Sequence, residues 1–176
     1  MIKNIETFDD FLQPGHRREL FEIAQKSLFE IGWDDTIEVE KRHQPCLHSR
    51  YNFNDTQRLK IWEPILKAAK NSSFKNSLKI DNFNNCVLNL TKPGDINYIH
   101  THPGLIAVLY YINLTWRPEW GGETLFYKNN AEDIVYTSPF KPNRLIVFDG
   151  NTPHTVKAQN YEGPSYRFTV SLFFKK

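Results

Sequence analysis

Apolar residues along this chain change their spacing once, near residue 76. Before it, Leu20, Ile23, Ala24, Leu28 and Ile31 recur at intervals of three and four over residues 17–31, and Gly32 stands where such a helix would stop. The spacing predicts an amphipathic helix there. A second helix is expected from Asn54 or Asp55, either of which can cap it, with Leu59, Trp62, Ile65, Leu66 and Ala69 along one stripe and Asn71-Ser72-Ser73 ending it. Residues 44–53, between the two, read as extended and then turning. Beyond residue 76 the pattern becomes short extended runs at 86–90, 96–100, 105–112, 123–127, 134–137, 144–148, 154–156 and 167–174. The residues between them, Pro93-Gly94-Asp95, Trp120-Gly121-Gly122, Pro142-Asn143 and Asp149-Gly150-Asn151, are of the kinds that reverse a chain sharply.

Short strands without long helices to carry parallel crossovers favour a mainly β fold with flanking helices. The expected form is an antiparallel two-sheet sandwich of the jelly-roll kind, with the N-terminal helices packed on the outside of one sheet. A chain of 176 residues fits one domain. Residues 1–75 would be its helical buttress and 76–176 its β core. No repeat or linker argues for a second unit.

Composition narrows the function classes. The 22 basic and 20 acidic residues leave a formal charge of +2, which gives no electrostatic reason to expect nucleic acid or a membrane as partner. Cys46 and Cys86 have no metal-ligand spacing and are too few for a disulfide framework, so a reducing, cytoplasmic setting is expected. The start MIKNIETFDDFL mixes charge among its apolar residues and reads as neither signal peptide nor membrane span. With 13 Phe, 8 Tyr and 4 Trp, a sheet-rich aromatic core is expected.

The candidate chemistry lies in the histidines. His100 and His102 are two apart, so they share a face if the chain is extended there, and His154 follows a distant apolar strand and the turn Asn151-Thr152-Pro153. Three imidazoles converging from two segments suit Fe(II), and equally Zn, Cu or Ni. Spacing alone leaves scattered surface histidines as the plainer reading.

Further residues stand beside them in a fixed order. They are a strand ending at Pro93-Gly94, then Tyr98-Ile99-His100, Val108-Leu109-Tyr110-Tyr111-Ile112-Asn113, Trp120-Gly121-Gly122-Glu123-Thr124, the strand 144–148, His154, and Arg167-Phe168-Thr169. In that order, residues 89–174 resemble the 2-oxoglutarate and Fe(II)-dependent oxygenases, particularly the prolyl 4-hydroxylase-like branch. The resemblance implies a double-stranded β-helix, with Fe(II) as metal, 2-oxoglutarate as cosubstrate and ascorbate as a candidate accessory. It implies hydroxylation of a prolyl or other peptidyl or small-molecule C–H bond, with release of succinate and CO2. His100, His102 and His154 would then be metal ligands. Arg167 and Thr169 would hold the distal carboxylate of 2-oxoglutarate, since a guanidinium matches a carboxylate in two-pronged geometry. Tyr111 would donate a hydrogen bond to it, and Leu109 would line the wall.

The family's usual pattern is His-x-Asp with a distant His, and this chain has His102 where the aspartate is expected. Three readings follow. His102 ligates in place of the carboxylate, which is the leading expectation; or only His100 and His154 ligate, as in halogenase relatives; or the site has decayed and the fold serves as a non-catalytic binding module. A three-histidine dioxygenase of cupin type, needing no 2-oxoglutarate, is disfavoured by Arg167-Phe168-Thr169. Plainer readings stand for single residues: an exposed Arg167, a core Tyr111, a turn role for Gly121-Gly122 and for Asp149, a structural Glu123. Trp116, Arg117 and Trp120 either contact substrate or pack locally.

Overall fold

The computed structural model describes residues 4–32, 46–58, 62–69 and 71–176. Ten strands form two antiparallel sheets. The larger sheet runs in the order β1-β8-β5-β10-β4-β3-β2, from β1 (Ile5–Phe8), β2 (Glu30–Ile31), β3 (Leu47–Tyr51), β4 (Phe83–Thr91), β5 (Leu105–Tyr111), β8 (Leu145–Asp149) and β10 (Arg167–Lys175). The smaller has the order β7-β6-β9, from β6 (Thr124–Tyr127), β7 (Ile134–Ser138) and β9 (His154–Val156). Non-sequential neighbours within two facing sheets are the jelly-roll arrangement, and the mainly β fold with flanking helices is as expected.

Strand periodicity splits the core into two layers. On β10, Phe168, Val170, Leu172 and Phe174 face one way, with Cys86, Leu88 and Leu90 of β4 and Ile106, Val108 and Tyr110 of β5. Leu20 and Ala24 of α1 (Pro14–Lys26) and Ile65 of α3 (Trp62–Ala69) pack into this layer, so helices cover the outside of the large sheet. The alternate residues Leu109, Tyr111, Val87, Ile146, Phe148 and Phe173 face the small sheet and meet Phe126 and Phe140.

Four local expectations are corrected. The first helix spans Pro14–Lys26, not 17–31: Pro14 supplies a preset first turn, and Ser27 is extended, its hydroxyl bonded to the Ile23 carbonyl (2.8 Å) and to Tyr51 Oη (2.7 Å). Leu28 and Ile31 are therefore almost fully exposed rather than part of the stripe. Asn52 rather than Asn54 or Asp55 caps α2 (Phe53–Arg58), its Oδ1 accepting from the Asp55 N–H at 2.9 Å; α3 carries the later part of the expected helix, and residues 59–61 between the two lie outside the described residues. Leu59, and the side chains of Trp62, Leu66 and Ala69, lie outside the described residues. Residues 96–99 are not a strand; Ile96, Tyr98 and Ile99 are exposed, and only His100 pairs. Lastly, β1 was not anticipated: it adds to the edge of the large sheet beside β8. No helix among the described residues is long and apolar enough to cross a membrane.

Candidate active site

His154 opens β9, and its backbone pairs with that of His100 although the latter belongs to no strand. Each N–H donates to the other's carbonyl at 3.0 Å. His102, two residues on, donates its N–H to the Gly150 carbonyl at 2.6 Å. Backbone bonds thus anchor all three histidines to the strand end and turn formed by 149–154. Their ligand-capable nitrogens lie within 4.8 Å of one another, and the ring centroids are 4.3, 4.9 and 5.2 Å apart.

The ring environment sets the tautomer. His154 Nδ1 donates to the Thr152 carbonyl at 2.9 Å and His100 Nδ1 to the Tyr98 carbonyl at 3.1 Å, which places the lone pair of each on Nε2. Phe148 and Phe126 flank His154, and Phe173 lies 4.4 Å from His102. Burial, with the neighbouring imidazoles adding to it, holds His154 well below the ordinary histidine range and His102 down to about 3. Burial thus favours the neutral form of His102 and His154, the form in which an imidazole ligates a divalent metal, and an all-imidazole donor set suits Fe(II) without a carboxylate.

Arg167, the first residue of β10, is on the inner face and only 1% exposed. Its Nε donates to the Gly122 carbonyl at 3.1 Å, and the guanidinium lies over Phe140 (4.7 Å) and Tyr111 (5.5 Å). Gly122 has a left-handed φ of 79°, and a Cβ there would stand 3.2 Å from Arg167 Nε, so this close approach needs glycine. Burial lowers the Arg167 pKa to about 10, opposed by Tyr111 and Glu123 nearby, so the group stays cationic at neutral pH. Its Nη2 is buried with no hydrogen-bond partner. A buried donor of this kind carries a penalty that an incoming anion would remove, and 2-oxoglutarate brings a carboxylate.

Thr169 is buried on the same face, opposite Tyr111 in the β10–β5 register. The next pair along the strands is Leu109–Ser171 and the next Ala107–Phe173. Phe173 abuts His102. Leu109 therefore lies between the guanidinium and the histidine cluster, and the two outer pairs are roughly 13 Å apart along the strands. Tyr111 Oη donates to Thr124 Oγ1 at 2.7 Å, and burial raises its pKa.

Trp116 is half-buried, bonded through Nε1 to the Gly121 carbonyl (2.9 Å) and packed on Phe140 (4.3 Å), while Arg117 lies over Trp120 (5.6 Å). Of the two readings for these residues, local packing is what the geometry displays. Asp149 accepts from the Asn151 N–H at 2.8 Å, the turn-holding role foreseen for it. The sequence assigns no role at the site to Thr124, Phe140 or Gly150. Thr124 had a signal, since it follows Glu123 at the start of a strand and must alternate inward with Phe126; Phe140 and Gly150 matter only through long-range contacts.

Comparisons with known proteins bear on the fold and the family. A family model described as the 2OG-Fe(II) oxygenase superfamily matches residues 77–175. A prolyl-4-hydroxylase from Pseudomonas putida superposes with a TM-score of 0.72 at 18% identity, covering 98% of this chain and 93% of that one. A prolyl hydroxylase from Trichoplax adhaerens, solved with a hypoxia inducible factor peptide fragment, gives 0.74 at 18% identity, covering 99% and 84%. HygX from Streptomyces hygroscopicus, solved with nickel and 2-oxoglutarate, gives 0.67 at 8% identity, covering 98% and 82%. No curated protein matches the sequence. The family match spans more than half of the chain, the same stretch that carries the histidine cluster and the buried arginine, and the protein belongs to the 2OG-Fe(II) oxygenase superfamily.

Proposed function

We propose that this oxygenase hydroxylates a C–H bond, on a prolyl or other peptidyl side chain or on a small molecule. When bound, iron and 2-oxoglutarate supply the oxidation: O2 and 2-oxoglutarate are consumed, succinate and CO2 leave, and the substrate C–H becomes C–OH. The chain supplies orientation, a dry pocket and charge. His100, His102 and His154 hold Fe(II) through three nitrogens. Arg167 and Thr169 take the distal carboxylate. Tyr111, expected to donate to that carboxylate itself, gives its hydrogen to Thr124 Oγ1 instead, and Thr124 keeps its own hydrogen to donate to the carboxylate. Leu109 forms the apolar wall between the two ends.

The observation that carries this reading is the unpartnered Nη2 of Arg167, buried on the same inner face as the histidine cluster. A desolvated cation with a free donor calls for an anionic ligand, and 2-oxoglutarate is one. The peptidyl substrate draws support from the prolyl 4-hydroxylase resemblance and from the architecture shared with the two prolyl hydroxylases.

The test is succinate release from 2-oxoglutarate, with and without Fe(II), followed by mass spectrometry of proline-containing peptides and a small-molecule panel. Fe(II)-dependent succinate and a product heavier by one oxygen atom are expected. Oxygen uptake that ignores 2-oxoglutarate, or no Fe(II)-dependent turnover at all, would overturn the proposal.

A further inference from the structure

Glu123 immediately precedes β6, and its carbonyl accepts from the Lys157 N–H at 2.9 Å, so at first sight it only serves the sheet. Its surroundings say more. It directly follows Gly122, whose carbonyl clamps Arg167 Nε. Its Oε2 is buried with no hydrogen-bond partner, and its Oε1 lies 3.8 Å from Nζ of the exposed Lys157. Arg167 Nη2, of opposite charge, is likewise buried without a partner, yet the two side chains form no direct ion pair. Neither charge satisfies the other by contact, and the guanidinium keeps a donor free for an anion.

We propose that Glu123 is the standing counter-charge of Arg167 and that it holds the pocket's affinity for the distal carboxylate below its maximum. This rests on Arg167 being the cosubstrate anchor. A dianion entering the pocket feels attraction from Arg167 and repulsion from Glu123, and Lys157 partly offsets the second. Succinate carries the same distal carboxylate, so the repulsion that loosens the cosubstrate also helps the product to leave. Glu123 touches neither ligand in this account; it is a positioning residue acting through the field at Arg167.

The experiment is calorimetric titration of the Fe(II)-loaded protein, without oxygen, by 2-oxoglutarate and by 2-oxopentanoate. The second ligand has the same chain length, with a methyl group in place of the distal carboxylate. Glu123→Gln should tighten 2-oxoglutarate roughly three- to fivefold, the size of a partly screened charge interaction. Lys157→Gln should weaken it roughly twofold by the same reasoning. The affinity for 2-oxopentanoate should be the same in all three proteins. If the wild type binds 2-oxoglutarate and Glu123→Gln binds it no more tightly, this inference fails alone; if the wild type binds neither ligand, the proposed function fails first. Should Glu123→Gln not fold, Lys157→Gln decides, because an unchanged affinity there also overturns the counter-charge.

Discussion

His100 and His154 exchange both of their backbone hydrogen bonds while lying in segments of different kinds, one a loop outside any strand and the other a strand. A two-bond bridge fixes the separation of the two Cα atoms, and each imidazole is then oriented by its own Nδ1 bond to a carbonyl two residues earlier. The positions of these two imidazoles are thus set largely by backbone. That leaves His102, held through its own N–H to Gly150, as the residue whose contribution to the metal is open to substitution.

His102→Ala is expected to weaken Fe(II) binding by at least roughly 10–100-fold. His102→Asp should retain binding and succinate release, because it restores the family's two-histidine, one-carboxylate set in the same place. Metal titration of the two variants checks this. Wild-type affinity in His102→Ala would mean that only His100 and His154 ligate.

Arg167→Met separates stability from function. A fully buried cation without its anion is a liability to the fold, and an apolar side chain of similar length removes it, so the variant should be as stable as wild type or more so, by about 1–4 kcal/mol. It should also lose 2-oxoglutarate-dependent succinate release. Thermal unfolding and the succinate assay together make the check. A large loss of stability would show that Arg167 serves the fold through its Gly122 bond instead.

Much of this was legible in the sequence, for a physical reason. Strand alternation is a local property, so inward Arg167 and Thr169, separated by outward Phe168, could be read from their order alone. The order of motifs carried the histidine triad. What failed were features decided by distant partners. Leu28 and Ile31 continue the helical spacing, but the Ser27 hydroxyl finds both the Ile23 carbonyl and Tyr51, and the helix stops. Residues 96–99 look like a strand, yet the loop is held through the Asn97 carbonyl, which accepts from Thr155 Oγ1 at 2.7 Å, and its apolar side chains stay exposed. Phe140, beneath the Arg167 guanidinium, comes from a segment with no motif at all.

Gly150 is a second point where the site depends on backbone. A Cβ there would collide with the His102 carbonyl and stand 2.8 Å from that of Leu105, both backbone atoms that cannot swing aside. Gly150→Ala should therefore cost about 1–3 kcal/mol of stability, the usual range for overpacking, and push His102 away from the other two imidazoles. Unfolding midpoint and Fe(II) affinity should fall together. An unchanged metal affinity would show that the 102–105 turn moves without carrying the ring.

Asp9, just past the end of β1, accepts from Arg144 Nε (2.6 Å) and Nη2 (3.0 Å) and from Lys141 Nζ (2.8 Å). Arg144 in turn offers its carbonyl to the Tyr111 N–H at 3.0 Å, so this ion pair ties the β1 edge to the strand that bears the pocket's phenol. Chiefly through the Arg144 bond, and against a smaller opposing effect of burial, the Asp9 pKa is lowered to about 2. In the unfolded chain it returns to roughly 3.9. Above that value the carboxylate is charged in both states, and the stabilisation is fully present. As pH falls from about 4 towards 2 the unfolded chain takes up the proton first, so the stabilisation shrinks, and it is gone once the folded state is protonated as well. Asp9 is 37% exposed, and water screening reduces its worth to about 1 kcal/mol. Asp9→Asn should thus unfold roughly 2–4 °C below wild type at pH 7, with the gap shrinking as pH falls from about 4 towards 2. A gap of constant size across that range would mean that hydrogen-bond geometry, and not the charge, makes the anchor.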